Sequence, residues 1–187
     1  MRIKGEKKLT VVQAFVLGVV QGLAEFLPIS SSGHLVMLQK IFGIEEGGLQ
    51  FDIAVHMATL IAVIVVFRKD IAEIIKKPFG RFPMLLLAAT LPTVAVALVF
   101  KDVFENAYET GFSLGFGFIF TGLILIYSEK VRSKNKGLQN TGAADAVIIG
   151  LAQGIAIFPA VSRSGLTISG ALFRGLDREF ALRFSFL

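Results

Sequence analysis

Two short polar segments of the sequence combine residue types that could do chemistry. The first runs from Glu25 through the serines at 30–32 to His34, and the second is the Ser-Arg-Ser segment at 162–164. Hydroxyl, carboxylate and imidazole groups can act as nucleophile, base and acid, and a guanidinium can bind anionic oxygens. Backbone N–H groups at the starts of the helices that follow would add donors for phosphate. This set suits phosphoryl transfer from an anionic ester.

Composition narrows both the chemistry and the class of protein. Of the 187 residues, 54% are hydrophobic, 18% are charged and none is cysteine. The lack of cysteine excludes disulfides, thiolate zinc sites and cysteine nucleophiles from this sequence. Apolar runs of nearly twenty residues without charge are typical of helices in a lipid bilayer. We therefore expect an all-α, polytopic membrane protein, with one membrane domain over residues 1–187.

The net charge of +5 is distributed in a pattern along the chain. Basic residues fill the connections 68–81 and 130–136, whereas the connection 101–109 is net acidic. This alternation matches the excess of Lys and Arg in cytoplasmic loops of membrane proteins. No basic helix with interleaved aromatic residues occurs, so nucleic acid is not an expected partner.

Three apolar runs predict complete membrane spans, at residues 51–67, 82–100 and 110–128. Pro92 predicts a kink in the second of these helices. Gly111 and Gly115 in the third have GxxxG spacing, which predicts the close approach of a neighbouring helix.

Two other apolar runs are interrupted by polar loops, and we interpret them as broken, re-entrant helix hairpins. The first covers residues 9–43 and breaks at Pro28, and the second covers 146–175 and breaks at Pro159. A signal peptide is not expected in the first, because its copy lies in mid-chain, where no signal peptide belongs. Loops rich in serine or containing arginine cannot face lipid, so we expect the two loops to meet near the middle of the membrane.

The two hairpins are copies of one unit. A shift of 132 positions places Gln21 on Gln153 and Ser30 on Ser162, and it makes eight of the sixteen residues at 18–33 identical. Three spans lie between the copies, and an odd number of crossings inverts the second copy relative to the membrane. Repeat one then covers 9–145. Residues 146–187 form a truncated second repeat, of which a full copy would reach about residue 277.

Charge alone does not decide on which side the amino terminus lies. Three spans with basic cytoplasmic loops place it outside, whereas the basic residues within 2–8 favour the cytoplasm. We favour the outside, because a single crossing by residues 9–44 would break the symmetry of the repeat.

Two stretches of sequence also carry a family resemblance. QGLAEFLPISSSGHL at 21–35 and PAVSRSGLT at 159–167 resemble motifs of the undecaprenyl-pyrophosphate phosphatase family, membrane enzymes linked to bacitracin resistance. FDIAVHMATLIAV at 51–63 is similar to the first full span of that family, and Ala160 departs from its usual glycine. The resemblance implies hydrolysis of undecaprenyl diphosphate to the monophosphate, at the outer face of the cytoplasmic membrane. That reaction recycles the carrier lipid for cell-wall synthesis.

The resemblance also implies roles by position. Ser31 would be the nucleophile, His34 the acid or base, and Arg163 the clamp for the diphosphate. Glu25 would orient or activate the serine, or would hold a divalent cation, magnesium or calcium, together with Gln21. Supporting hydrogen bonds to the substrate would come from four hydroxyl side chains, namely Ser30, Ser162, Ser164 and Thr167.

Other functions fit the same pattern. A membrane lipid flippase or an anion transporter is the main alternative, because secondary transporters also use inverted repeats and broken helices. A non-catalytic membrane scaffold is the third. His56, inside a predicted span, is interpreted as a packed, hydrogen-bonded histidine rather than as a catalyst. The expected partners are an isoprenyl diphosphate lipid and membrane lipid, and an oligomer is compatible with the sequence.

Overall fold

A computed structural model describes residues 9–44, 48–111, 113–131 and 135–187. The basic tail at 2–8, on which the sidedness of the amino terminus depends, lies outside these residues. Within them the chain forms helices and no strand, so the all-α prediction is confirmed. The ten α-helices are α1 (Val11–Ala24), α2 (Ser31–Phe42), α3 (Gly48–Val66), α4 (Arg68–Lys76), α5 (Arg81–Val99), α6 (Lys101–Thr110), α7 (Leu114–Glu129), α8 (Ala143–Ile155), α9 (Arg163–Phe173) and α10 (Arg178–Phe186).

The predicted spans correspond to helices of unequal length. Helix α5 has 19 residues and is the one described helix that is long and apolar enough to cross a bilayer. Residues 50–66 and helix α4 would form a second span only if taken together, and the two are bent by 75°. The other apolar helices, α1, α7 and α8, have between 10 and 17 residues. Three full spans thus remain a prediction.

The third predicted span begins at the wrong residue. Thr110 ends α6, Gly111 follows in the left-handed conformation with φ 65°, and α7 begins only at Leu114. Gly111 therefore caps a helix, and nothing lies within 4 Å of a Cβ placed on Gly115. The expectation that these two glycines pack a helix is wrong. Gly117 makes the close approach instead, against the Pro159 carbonyl.

The two predicted hairpins are helix pairs, α1–α2 and α8–α9, joined by short breaks. Helices α1 and α8 begin 132 positions apart, at Val11 and Ala143, and α2 and α9 do the same. Each second helix has a serine N-cap: the Ser30 hydroxyl accepts the N–H of Gly33 at 3.4 Å, and Ser162 accepts that of Gly165 at 3.1 Å.

The buried core lies around the second pair. Helix α8 packs along α5, and Gly150 permits this because a Cβ there would collide with the Ala89 carbonyl. Side chains of α5, α8, α9 and α10 complete the core, among them Phe82, Leu85, Ile149, Leu172, Phe180 and Phe184. Burial of this apolar surface stabilises α8 and α9 and fixes the loop between them.

Candidate functional site

Glu25 is held at the end of α1. Its backbone N–H donates to the Gln21 carbonyl at 3.0 Å, and the Gln21 side chain, one turn earlier, donates Nε2–H to Glu25 Oε2 at 3.2 Å. The helix ends here because Pro28 follows within four residues. The Glu25 side chain is 17% exposed, so the carboxylate is shielded without being sealed from substrate.

Ser31 faces this carboxylate from the first turn of α2. Its hydroxyl donates to Glu25 Oε2 at 2.6 Å, which is a short, charge-assisted hydrogen bond. The turn before it is tight, because Ser30 has φ 67° in the left-handed region. A hydroxyl bonded to a carboxylate is the arrangement of a nucleophile beside its base.

Arg163 reaches the same carboxylate from the second loop. Its Nη2 lies 3.3 Å from Glu25 Oε1, and its Nη1 donates to the Ser185 carbonyl at 3.3 Å. Because Ser31 and Arg163 bind the two oxygens of one carboxylate, the two breaks in the helix pairs meet at Glu25. The Arg163 side chain is 46% exposed, so its guanidinium can also bind an incoming anion.

His34 lies one turn beyond Ser31 and is anchored by its backbone. Nδ1 lies 2.7 Å from the Ser30 carbonyl, and the ring packs edge-on against Phe118 of α7 with centroids 4.9 Å apart. Donation from Nδ1 to the carbonyl leaves Nε2 as the nitrogen for proton exchange. Among the described contacts none joins His34 directly to Ser31 or Glu25.

The hydroxyls of the second loop are buried and bonded within the protein. Ser162 Oγ caps α9 and lies 3.3 Å from Ser164 Oγ. Thr167 donates to the Arg163 carbonyl at 2.8 Å and contacts the hydroxyl of Ser185. In the first loop, Ser30 Oγ lies 3.4 Å from Ser32 Oγ. These hydroxyls shape the loops that carry the reactive groups.

His56 lies beside Glu25, although its position inside a predicted span favoured a packing role. Its Nδ1 lies 2.7 Å from the Asp52 carbonyl, and its Nε2 lies 4.0 Å from Glu25 Oε2. The predicted hydrogen bond is therefore present, whereas the side chain is 45% exposed and is not packed in the core. An ionisable side chain within an apolar helix was the signal that could have identified it.

The donor atoms beside Glu25 can be tested for a divalent cation. Gln21 is 1% exposed, and its Oε1 has no hydrogen-bond partner. The carboxylate of Glu25 and this amide oxygen are hard donors, which magnesium and calcium prefer. The described residues contain no cluster of three His, Cys, Asp or Glu side chains. Gln21 presents its amide N–H rather than this oxygen to Glu25, so the pair would hold a cation only after the amide turns.

Comparison with known proteins identifies relatives over nearly all of the chain. A family model described as bacitracin resistance protein BacA matches residues 14–187. A protein named undecaprenyl-diphosphatase from Carboxydothermus hydrogenoformans is 58% identical over 175 residues, which cover 94% of this chain and 67% of the relative. Undecaprenyl-diphosphatase 4 of Bacillus thuringiensis is 46% identical over 94% of the chain and 68% of its own length. An undecaprenyl-diphosphatase of Rubrobacter xylanophilus is 43% identical over 96% and 71%. The chain thus spans about two thirds of the length of these relatives.

Proposed function

The chain belongs to the bacitracin resistance protein BacA family, and on this premise we propose that it hydrolyses undecaprenyl diphosphate to undecaprenyl phosphate and inorganic phosphate. The observation that carries the proposal at the site is the meeting of Ser31 and Arg163 on the Glu25 carboxylate. A nucleophile, its base and a guanidinium are the groups that phosphoryl transfer needs. The flippase or transporter alternative gains no support from the matched family or relatives.

Ser31 attacks the terminal phosphorus in this proposal. Glu25 Oε2, 2.6 Å from the hydroxyl, takes its proton as the Oγ–P bond forms. The bond between the terminal phosphorus and the bridging oxygen breaks, and undecaprenyl phosphate leaves. Water then attacks the phosphoserine, which releases inorganic phosphate and restores the hydroxyl. Glu25 gives its first proton to the leaving undecaprenyl phosphate and is ionised again; in the second step it takes a proton from the water and returns it to the Ser31 oxygen as the Oγ–P bond breaks.

Arg163 and His34 assist the phosphoryl transfer in two different ways. The guanidinium of Arg163 donates to the phosphate oxygens and stabilises the negative charge that they carry in the transition state. His34 exchanges a proton through Nε2, because its Nδ1 is held by the Ser30 carbonyl. Ser30, Ser162, Ser164 and Thr167 serve as the supporting hydroxyls, and their hydrogen bonds keep both loops in shape.

A divalent cation, magnesium or calcium, would be held by Glu25 and Gln21 together with oxygens of the diphosphate. When bound, such a cation neutralises negative charge on the diphosphate. Gln21 would then turn its unpartnered Oε1, rather than its amide N–H, towards Glu25.

We place the site in an inverted repeat of the cytoplasmic membrane, open to its outer face. The equal spacing of α1, α2, α8 and α9 along the chain supports the repeat, and α3, α5 and α7 supply the three crossings between its copies. The amino terminus then lies outside. A substrate released at the outer face by cell-wall assembly reaches the site without crossing the membrane.

Replacement of the nucleophile tests the proposal most simply. Ser31→Ala should lower phosphate release from undecaprenyl diphosphate by about 10³-fold or more, because the covalent step is lost, whereas lipid diphosphate binding stays within a few-fold of wild type. Ser32→Ala is the matched control: it removes the neighbouring hydroxyl, which bonds Ser30 rather than Glu25. Normal turnover by Ser31→Ala would contradict the serine mechanism and would favour direct attack by water.

A further inference from the structure

The loop before Arg163 is seated between two helices. Ala160 lies between Gly33 of α2 and Gly117 of α7, where added Cβ atoms would come within 2.7 Å and 3.0 Å of the Ala160 Cβ. Only glycine at both positions leaves room for this methyl group. The position of the loop is therefore set by α2 and α7 as well as by α9, which the loop precedes.

The backbone of this loop has an unfavourable conformation. Ala160 has φ 65°, in the left-handed region. For a residue with a Cβ this conformation costs about 1–2 kcal/mol relative to the ordinary helical region. Contacts elsewhere must hold it, because a free loop would relax to a negative φ.

Thr121 supplies such a contact. It lies one turn after Gly117 on α7 and is 3% exposed. Its Oγ1 accepts the backbone N–H of Ser162 at 3.0 Å and lies 3.4 Å from the Ala160 carbonyl, to which its hydroxyl donates. One hydroxyl thus satisfies a buried donor and a buried acceptor, and both belong to the residues directly before Arg163.

We propose that Thr121 is a positioning residue, which fixes the loop 160–162 and thereby aims the Arg163 guanidinium at the phosphate. The inference rests on the proposed function. Thr121 touches neither substrate nor reacting atoms, and it acts through the backbone of Ser162. A displacement of the clamp by about 1 Å can cost about 10²-fold in rate. The loss should fall on kcat, because the guanidinium stabilises charge in the transition state.

Thr121→Val tests this, because it keeps the shape of the side chain and removes the hydroxyl. We expect kcat for undecaprenyl diphosphate to fall by about tenfold or more while KM stays within about twofold. Thr121→Ser, which keeps the hydroxyl, should restore kcat to within about threefold of wild type. Thr90→Val is the matched control, since Thr90 on α5 bonds only its own helix, at the Leu86 carbonyl. Thr121→Ala gives the same test should the valine variant not fold.

Combination with Arg163→Lys separates positioning from general structural damage. If Thr121 acts through Arg163, Thr121→Val should cost less than about twofold in the Arg163→Lys background. An equal, multiplicative loss in both backgrounds would overturn the inference, as would full activity of Thr121→Val or a serine variant as slow as the valine one. A wild-type chain that releases no phosphate would overturn the proposed function, and this inference with it.

Discussion

The first and second helix pairs share eight of sixteen residues around their breaks and reach different surroundings. Gly150 of α8 lies against the backbone of α5, whereas nothing lies within 4 Å of a Cβ placed on the equivalent Gly18 of α1. Gln153 donates to the Thr93 hydroxyl of α5 at 3.2 Å, but its twin Gln21 donates to Glu25. The second pair is thus packed against α5, whereas the first pair carries the candidate reactive groups.

The sequence differences between the copies follow this division. Three positions of the first pair, Glu25, Ser31 and His34, correspond to Ile157, Arg163 and Leu166 of the second. The second copy keeps one charged group there, and it holds that group on buried backbone. The two loops thus differ in the groups that they carry: a carboxylate, a hydroxyl and an imidazole in the first, and a guanidinium in the second.

Among the changes that test this difference, the largest effect should come from Glu25, which the second copy replaces with Ile157. Glu25→Gln keeps the size of the side chain and removes the base, so kcat for undecaprenyl diphosphate should fall by about 10³-fold. Phosphate release measures it. Glu105→Gln makes the same change at an exposed residue that pairs only with Lys101 at 3.6 Å, and it should leave kcat unchanged. A Glu25→Gln variant that keeps a tenth of the activity would contradict the assignment of Glu25 as the base.

A pair of glycine substitutions tests the difference in packing. Gly150→Ala places a Cβ against the Ala89 carbonyl and Pro92, and it should destabilise the fold by about 2 kcal/mol. Gly18→Ala meets open space and adds helix propensity, so it should leave stability unchanged or raise it by up to about 1 kcal/mol. Thermal midpoints in one detergent compare the two variants. Equal shifts of the thermal midpoint would show that Gly150 and Gly18 do not differ in packing.

The smallest effect concerns the starts of α8 and α1, where Asp145 corresponds to Gln13. Asp145 is buried and binds Arg174 at 2.7 Å and Lys136 at 3.2 Å. Burial raises the pKa of the Asp145 carboxyl, but the Gly142 N–H, Arg174 and Lys136 outweigh it, and the pKa lies below its usual value of 3.8. Its contribution is therefore complete above pH 3.8 and is lost as pH falls through the lowered pKa.

Asp145→Asn should accordingly lower the thermal midpoint at neutral pH, by the equivalent of about 1 kcal/mol. The difference from wild type should shrink as pH falls below the usual value of 3.8. Gln13→Ala is the control, because Gln13 carries no charge and accepts only the hydroxyl and N–H of Thr10. If the difference in thermal midpoint between Asp145→Asn and wild type did not change with pH, Asp145 would not be ionised in the folded protein.

Sequence identified the parts of this molecule that depend on residue type and spacing. The shift that aligns Ser30 with Ser162 also aligns the helix starts, because each serine caps its helix in the same way. Hydropathy could not find the turn at Gly111, since an apolar run looks the same across a left-handed residue. It also could not tell Gly115 from Gly117, because only tertiary packing decides which glycine meets the loop.

The candidate site was predictable to a similar depth. Ser31 and Arg163 both bind the Glu25 carboxylate, as the pairing of the two loops predicted. Charged and polar groups in an apolar surrounding must form such contacts with each other. The contact of His56 with Glu25 was not predicted, since the distance between them depends on how α3 packs on α1. Thr121 offered no sequence signal, because its partners are backbone atoms of a distant loop.

One diphosphate should bind to both loops at the same time. An experimental structure of this chain with a methylene-bridged, non-hydrolysable analogue of undecaprenyl diphosphate tests it most directly. We expect Ser31 Oγ to lie at about 3–3.5 Å from the terminal phosphorus, and Arg163 to donate hydrogen bonds to oxygens of the same headgroup. A headgroup bound by one loop alone, with Ser31 and Arg163 apart, would contradict it.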